Sequence, residues 1–387
     1  MSTITRTAVE AILKDNIVRI LIVTRMLHDV AGGVERSAIT LLNRFAAQGH
    51  EVALLTWDQA DAVPYYELSR QVAWHRLDMG DPMRRAGFRL RLRRLARIRQ
   101  RIHRAIQSDV VIAFQHGPFL TVALALLGTG RAVIAAERNA PDRLDHLRAG
   151  RRRWLLFQSF RLADRITVQF EQYRRSYPAY LRKRIRVVPN VVDPPAGHAD
   201  PRGRDHRRVL LSVGRIAYQK NPHCLVRAFA EIAGAHPDWV LRLVGSGEDR
   251  TEIDQLISDL NLGGRVELPG TTRDVGREYR NAQLFALASR WEGFPNAIAE
   301  ALAHGLPVVG FEGCAGVGQL VETGRTGLLA AGNGDHSTLA HALDRLMGDP
   351  ELRVRYGEAA RAVVAHYSPA EVVACWERVA GELASGS

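Results

Sequence analysis

Apolar residues fall along this chain in short unbroken runs, separated by longer stretches in which they recur every three or four positions. Val18–Thr24 (VRILIVT) is the first such run, as expected of a parallel strand buried on both faces. A helical pattern then reaches Gln48, Gly49 stops it, and Glu51–Trp57 reads as a second strand. Asp109–Phe114, Ala132–Ala136, Ile166–Gln169 and Ile185–Val188 read as further strands of the same sheet. A second series follows, with strands at Val209–Val213, Val240–Val244, Val266–Leu268, Leu284–Ala288 and Pro307–Val309. A last helix is predicted over Pro369–Ala384, after Tyr367-Ser368 at its cap. Strands alternating with helices predict parallel sheets and an α/β fold.

The two series are parted by a polar stretch rich in Pro and Gly, Pro194-Pro195-Ala196-Gly197 through Gly203. It predicts a linker over 191–203 between a domain at 1–190 and a second at 204–366. A chain of 387 residues exceeds one ordinary core, which agrees with two domains. Cys224, Cys314 and Cys375 are far apart and odd in number, so they read as thiols in a reducing compartment. Ile17–Thr24 is short and broken by Arg19, unlike a secretory signal, and no run has the length of a membrane span. The expected location is cytoplasmic.

Charge changes this picture. The formal net charge is +12, but residues 1–190 carry 33 Lys/Arg against 16 Asp/Glu and the remainder 20 against 25. The first half therefore faces an anionic partner or surface. Within it, Arg84–Ile106 holds ten arginines, with Phe88, Leu92, Leu95, Ile98, Ile102 and Ile106 at helical spacing. Such a helix either packs on its own domain with a solvated charged face or docks on an anionic membrane face or lipid-diphosphate acceptor. Arg91, Arg94, Arg97 and Arg101 are the candidate membrane contacts. Arg148 and Arg151–Arg153, followed by Trp154-Leu155-Leu156-Phe157, allow the same two readings. Nucleic acid is not expected as a partner, because no binding module or aromatic interleaving accompanies the charge.

The chemistry concentrates in the second half. Ser289–Val309 (SRWEGFPNAIAEALAHGLPVV) sets Glu292 and Glu300 around a Gly-Phe-Pro-Asn turn that leads into a helix. Such a turn aims backbone N–H groups at an anion, while one carboxylate faces a sugar and the other a ribose diol. Leu211–Asn221 (LSVGRIAYQKN) ends a strand at Gly214 and places Arg215 and Lys220 on a loop before a helix. Two fixed cations there can neutralise a diphosphate, or they are solvated loop charges. Lys220 is one of only three lysines, in a chain that otherwise uses arginine. Gly245 and Gly247, after a third strand, either admit a base and ribose close to the backbone or make an ordinary tight turn. Gly32 and Gly33 precede a helix without the GxGxxG fingerprint. His116 and Glu137-Arg138-Asn139 follow strands, where open α/β sheets place ligands, or they cap loops.

With these motifs in place, the chain resembles the retaining GT-B glycosyltransferases of family GT4, the glycosyl transferases group 1. The resemblance is carried by GGVER at 32–36, RVVPNVVD at 186–193, SVGRIAYQKN at 212–221, LVGSGEDR at 243–250, ELPGTTRDV at 267–275 and the block at 289–309. It implies two Rossmann-like domains facing a cleft, with the C-terminal helix (369–387) crossing back to the N-terminal domain. A nucleotide-sugar, most simply a UDP-sugar, would be bound by the C-terminal domain and a glycan or lipid-linked acceptor by the N-terminal one. Arg215 and Lys220 would hold the diphosphate, Glu300 the ribose, and Glu292 the donor sugar. The amides of Phe294, Pro295 and Asn296 would lie near sugar and phosphate, with Gly32 and Gly33 closing from the other side. The family's usual route is front-face displacement without a protein nucleophile.

Two positions depart from the family pattern. Many members carry a His where Glu137 stands, and Ala136-Glu137-Arg138-Asn139-Ala140-Pro141 resembles the SERNDP-like variant of a branch that builds lipid-linked oligosaccharides and surface polysaccharides. Gln319 stands where many members carry Glu. Glu137 is accordingly a candidate catalytic residue, and His116, Arg138 and Asn139 are candidate acceptor or sugar contacts. With no Asp-x-Asp motif, neither metal nor other cofactor is expected. The expectation is a hexosyltransferase peripheral to the inner face of the cytoplasmic membrane, acting in capsule, exopolysaccharide or lipopolysaccharide synthesis. The alternatives are a GT-B-fold nucleotide-sugar epimerase and a basic protein that binds nucleic acid or a membrane surface.

Overall fold

A computed structural model describes residues 17–30, 32–80, 87–104, 106–141, 143, 151–203 and 207–384, with 151, 152 and 384 described by backbone only. Arg84, where the sequence pattern starts the cationic helix, and Arg148 of the second basic cluster lie outside these residues. Seven strands make the first sheet: β1 (Arg19–Val23), β2 (Glu51–Thr56), β3 (Ala73–Arg76), β4 (Val110–Phe114), β5 (Ala132–Ala136), β6 (Arg165–Val168) and β7 (Ile185–Val187). Their order is β3-β2-β1-β4-β5-β6-β7 and every pairing is parallel. Six more make the second: β8 (Arg208–Val213), β9 (Trp239–Val244), β10 (Val266–Gly270), β11 (Leu284–Leu287), β12 (Val308–Phe311) and β13 (Gly327–Ala330). These lie in the order β10-β9-β8-β11-β12-β13, again all parallel.

The most conspicuous strands by pattern are those buried on both faces, such as β4, β11 and β12, in which every residue is buried. The two that escaped it are edge strands. β3 (AWHR) is exposed or half-buried throughout, and β13 opens on a glycine. A Cβ at Gly327 would fall 2.0 Å from the Val308 carbonyl oxygen, so this edge accepts only glycine there.

The chain divides into two compact units, one of Met1–Arg138, Leu144–Val191 and Pro369–Ser387, the other of Asn139–Arg143 and Val192–Ser368. The terminal helix, Pro369–Ala384, thus belongs with the first sheet. Its Val372, Trp376 and Val379 enter the core formed by Ile22, Phe45, Leu54 and Phe114, and Trp376 stacks on Phe114 at 6.2 Å. Glu382 accepts hydrogen bonds from Arg186 and Arg165, which hold its carboxyl below the usual range. The stretch expected as a linker is, from Val192 onward, built into the second unit. The fully buried Arg353 donates to the carbonyls of Pro201 and Arg202 from one side and Leu346 and Met347 from the other.

The cationic helix runs from Phe88 to Arg104. Ile98, Ile102 and Ile106 face inward as the spacing predicts, but Phe88 and Leu92 are 76% and 50% exposed. In both sheets the direction of strand addition reverses once, between β1 and β4 in the first and between β8 and β11 in the second. Loops leaving the carboxyl ends of such neighbours turn to opposite faces and leave a crevice.

Candidate active site

Arg215 and Lys220 stand on the loop that leaves β8. That loop is laced to the one leaving β9: Gly214 N–H donates to Val244 O (3.0 Å), Ile216 N–H to Ser246 O (2.9 Å), and Asp249 N–H to Ile216 O (3.1 Å). Gly245 and Gly247 permit this approach. A Cβ at either would fall 2.0–2.1 Å from the carbonyl oxygen of Gly214 or Ile216. Both glycines are therefore required by loop against loop, and they act on the site by fixing the cation loop. Lys220 lays its stem over Gly214, where a Cβ would touch it at 3.4 Å. Gly214, Arg215 and Lys220 line a recess, with Leu243 and Val244 from the end of β9 and Leu287 from the end of β11 as its apolar wall.

The carboxylate arrives from β11. Glu292 is only 4% exposed, and its Oε1 accepts from Lys220 Nζ (2.5 Å) and Ser289 Oγ (2.6 Å). Burying a charge needs a partner and a second hydrogen bond, and here both meet one oxygen. Arg215 differs: it is exposed and has no acidic partner among the described residues. A neutralised pair beside an uncompensated cation, at the switch point of a parallel sheet, is a site for an anion with a polar appendage.

The turn after Glu292 is more committed than its sequence predicts. Pro295 has no N–H to offer, and the Asn296 N–H donates to Phe294 O at 2.8 Å. The Phe294 ring is buried, edge-on to Tyr367. The helix Asn296–Ala303 follows, and Glu300 lies half-buried within it, its carbonyl accepting from the His304 ring at 2.7 Å. Gln319 is exposed on a short turn beyond β12. Ser289 and Arg290 received no role from the sequence, because their partners lie in a segment some seventy residues away or depend on a side-chain rotamer.

Two family profiles match the chain: "Glycosyltransferase Family 4" over residues 31–195 and "Glycosyl transferases group 1" over 198–363. The chain belongs to glycosyltransferase family 4. It is 31% identical over 290 residues to an exopolysaccharide phosphotransferase of Streptomyces coelicolor, covering 74% of this chain but only 30% of that protein's length. It is 25% identical to the amylovoran biosynthesis glycosyltransferase AmsD of Erwinia amylovora, over 90% of this chain and 96% of the other. Among solved structures, Anabaena HepE with UDP and glucose superposes with a TM-score of 0.77 at 19% identity, covering 95% and 100% of the two chains. Sucrose-phosphate synthase of Thermosynechococcus elongatus gives 0.79 at 21%, covering 95% and 99%. The fold is GT-B, with two Rossmann-like units.

In this family 4 chain the first unit holds the remaining candidates. Gly32 and Gly33 open the helix Gly33–Ala47 after β1, where the Glu35 carboxylate already lies against Gly32. His116 follows β4, and its Nε2 meets Ser159 Oγ at 2.8 Å. Glu137, after β5, is buried and takes the Arg138 N–H on its own Oε1 (3.1 Å). Arg138, expected to touch acceptor or sugar, is instead committed to its own unit. It donates to Val188 O (2.9 Å), Asn190 Oδ1 (3.3 Å) and Thr167 Oγ1 (2.6 Å), and lies 5.0 Å from the Trp376 ring centroid. Burial pulls its pKa down to about 9, while neighbouring Glu137 holds it up, so it stays charged at neutral pH. Asn139 is half-buried and groups with the second unit.

Of the expected membrane contacts, Arg91 and Arg97 are exposed and Arg101 is half-buried. Arg94 is not one: it is 7% exposed and donates to Met79 O (2.9 Å), one of eight arginines on the helix Phe88–Arg104 and the one turned inward beside Ile98 and Ile102. No helix among the described residues is long and apolar enough to cross a membrane.

Proposed function

We propose that this chain transfers a hexose from a nucleoside-diphosphate sugar, a UDP-sugar, to a lipid-linked or otherwise surface-bound glycan with retention of configuration. The carrying observation is the Lys220–Glu292 pair with exposed Arg215 at the switch point between β8 and β11. Arg215 and Lys220 take the diphosphate and stabilise the charge that builds on it as the sugar leaves. Glu292, once Lys220 turns to phosphate, accepts from a sugar hydroxyl. Its Oε1 sits under two donors, which favours a binding role over attack at the anomeric carbon. The acceptor hydroxyl is then deprotonated by the departing phosphate, on the same face of the sugar. Glu300, on the helix beyond, suits the ribose.

Relatives support the pathway: AmsD is a glycosyltransferase of amylovoran biosynthesis, LpsE of Rhizobium meliloti one of lipopolysaccharide core biosynthesis, and HepE binds UDP-glucose. Exposed Phe88 and Leu92 beside exposed Arg91 and Arg97 support docking on an anionic lipid face, as do exposed Trp154 and Leu155. The enzyme is proposed to need no metal.

A panel of nucleotide-sugars tests this reading, with thermal shift for binding and UDP release for turnover. The expected outcome is stabilisation by one UDP-sugar and by UDP, with release only when acceptor is added and unchanged in EDTA. Loss of activity in EDTA would overturn metal independence. Rearrangement of the sugar without acceptor would make the protein an epimerase.

A further inference from the structure

Lys220 acts only where its loop puts it, and that loop is held from outside. Its two chain neighbours are both tied to the segment that carries Glu292. Gln219 Nε2–H donates to Trp291 O (2.9 Å), and Arg290 N–H returns a bond to Gln219 O (2.8 Å). The Arg290 guanidinium then reaches past them, donating from Nε to Tyr218 O (3.2 Å) and from Nη2 to Asn221 Oδ1 (3.1 Å). It lies over the Tyr218 ring at 4.4 Å. Asn221 is 4% exposed and holds a left-handed backbone (φ 52°, ψ 51°) at the start of the helix Pro222–Ile232, a conformation that needs outside support. Arg290 is itself anchored by Asn333, whose Nδ2 donates to its carbonyl at 2.8 Å.

We propose that Arg290 is a positioning residue for Lys220, fixing where the cation meets a nucleoside diphosphate; this rests on the donor reading above. Residues 218, 219 and 221 are each bonded to 290 or 291, while Lys220 Nζ meets Glu292. The links form a closed ring: the β8 loop and the β11 loop share one geometry, and Arg290 closes it with the planar fork that a lysine lacks. A displacement of about 1 Å at a group aligned for reaction costs on the order of a hundredfold in rate. Without the fork, Tyr218 and Asn221 are released and Lys220 moves with them.

The test uses the full chain with R290A, R290K, K220A and the double variant R290A/K220A, measuring UDP binding by calorimetry and kcat and KM with the donor found by the panel. R290A is expected to weaken UDP about tenfold and lower kcat/KM about a hundredfold. R290K keeps the charge and is expected to recover little. The double variant is expected to be no worse than K220A alone, because residues acting through one group are non-additive. Fully additive losses, full recovery by R290K, or wild-type UDP affinity in R290A would each overturn the proposal. Thermal unfolding of R290A and of R290K guards against misfolding, since both must be judged on folded protein. If the wild type binds neither UDP nor any other nucleoside diphosphate, the donor reading itself falls and the proposal falls with it.

Discussion

Both sheets end their strands in buried charge, but they use it differently. At the carboxyl ends of β8 and β11 the buried carboxylate Glu292 is met by a half-buried lysine, with an exposed arginine left over. At the ends of β5 and β6 the buried cation Arg138 is met by carbonyl, amide and hydroxyl oxygens of its own unit and by the face of Trp376 from the terminal helix. The first arrangement keeps charge at the surface for a ligand. The second closes charge inside, where it seats the helix that returns from the end of the chain. A parallel sheet offers strand ends to function, and whether they are used depends on what else the fold must hold there.

The largest expected effect comes from removing the charge that is left over. Arg215→Ala or Lys220→Ala should each lower kcat by about 10²–10³, by analogy with loss of one donor to a developing anion. Steady-state kinetics of the two variants and of the double variant check this, and near-wild-type turnover in the double variant would end the comparison. Lys220→Ala has a second consequence, since it takes the cation away from the buried Glu292 carboxylate, whose Oε1 keeps its bond from Ser289. Its stability should fall more than that of Arg215→Ala, which no buried group depends on.

These cations were legible because each lies in one contiguous segment: a strand, a glycine, a loop and a helix. The Glu292–Glu300 block was legible for the same reason. What the sequence concealed is contact between segments. Gly245 and Gly247 read equally as room for a ligand and as a tight turn, and only the carbonyls of Gly214 and Ile216 decide their role. Arg290 looks like one more surface arginine until its fork is seen on Tyr218 and Asn221. Arg94 and Arg138 were misplaced for one physical reason: composition cannot tell which arginine of many is turned inward. The strand β3 was missed because none of its four residues is buried, and β13 because it is only four residues long and opens on a glycine.

Arg138→Met sharpens the comparison from the other side. It removes three hydrogen bonds, those to the oxygens of Val188, Asn190 and Thr167. Unfolding in denaturant should show a loss of about 2–4 kcal/mol. UDP affinity should not change, since the bonds of Arg138 run to residues of the first unit and the recess is lined by residues of the second. Weakened UDP binding with unchanged stability would return Arg138 to the site.

Acid should separate the two units by the pH at which each begins to weaken. In the second, burial holds the His304 pKa below its ordinary 6.5, although the Glu300 carbonyl bond raises it and Arg280 and His198 lower it further. The unfolded chain then binds the proton more readily, so stability is untouched above about pH 6.5 and falls as pH drops from there toward the folded value. In the first unit the Glu382 pKa is depressed by hydrogen bonds from Arg186 and Arg165. That stability is complete above the ordinary value near 4.5 and is lost only as pH falls through the lower folded value. His75 on β3 is also shifted down by burial, so the comparison is made in a His75→Gln background. Differential unfolding from pH 8 to pH 3 should then show His304→Gln flattening the profile that begins near 6.5, and Glu382→Gln flattening only the one that begins near 4.5. If Glu382→Gln left stability at pH 6 unchanged, the terminal helix would be seated by something other than its ion pairs. The apolar contact of Trp376 with Phe114 would then be the stronger tie.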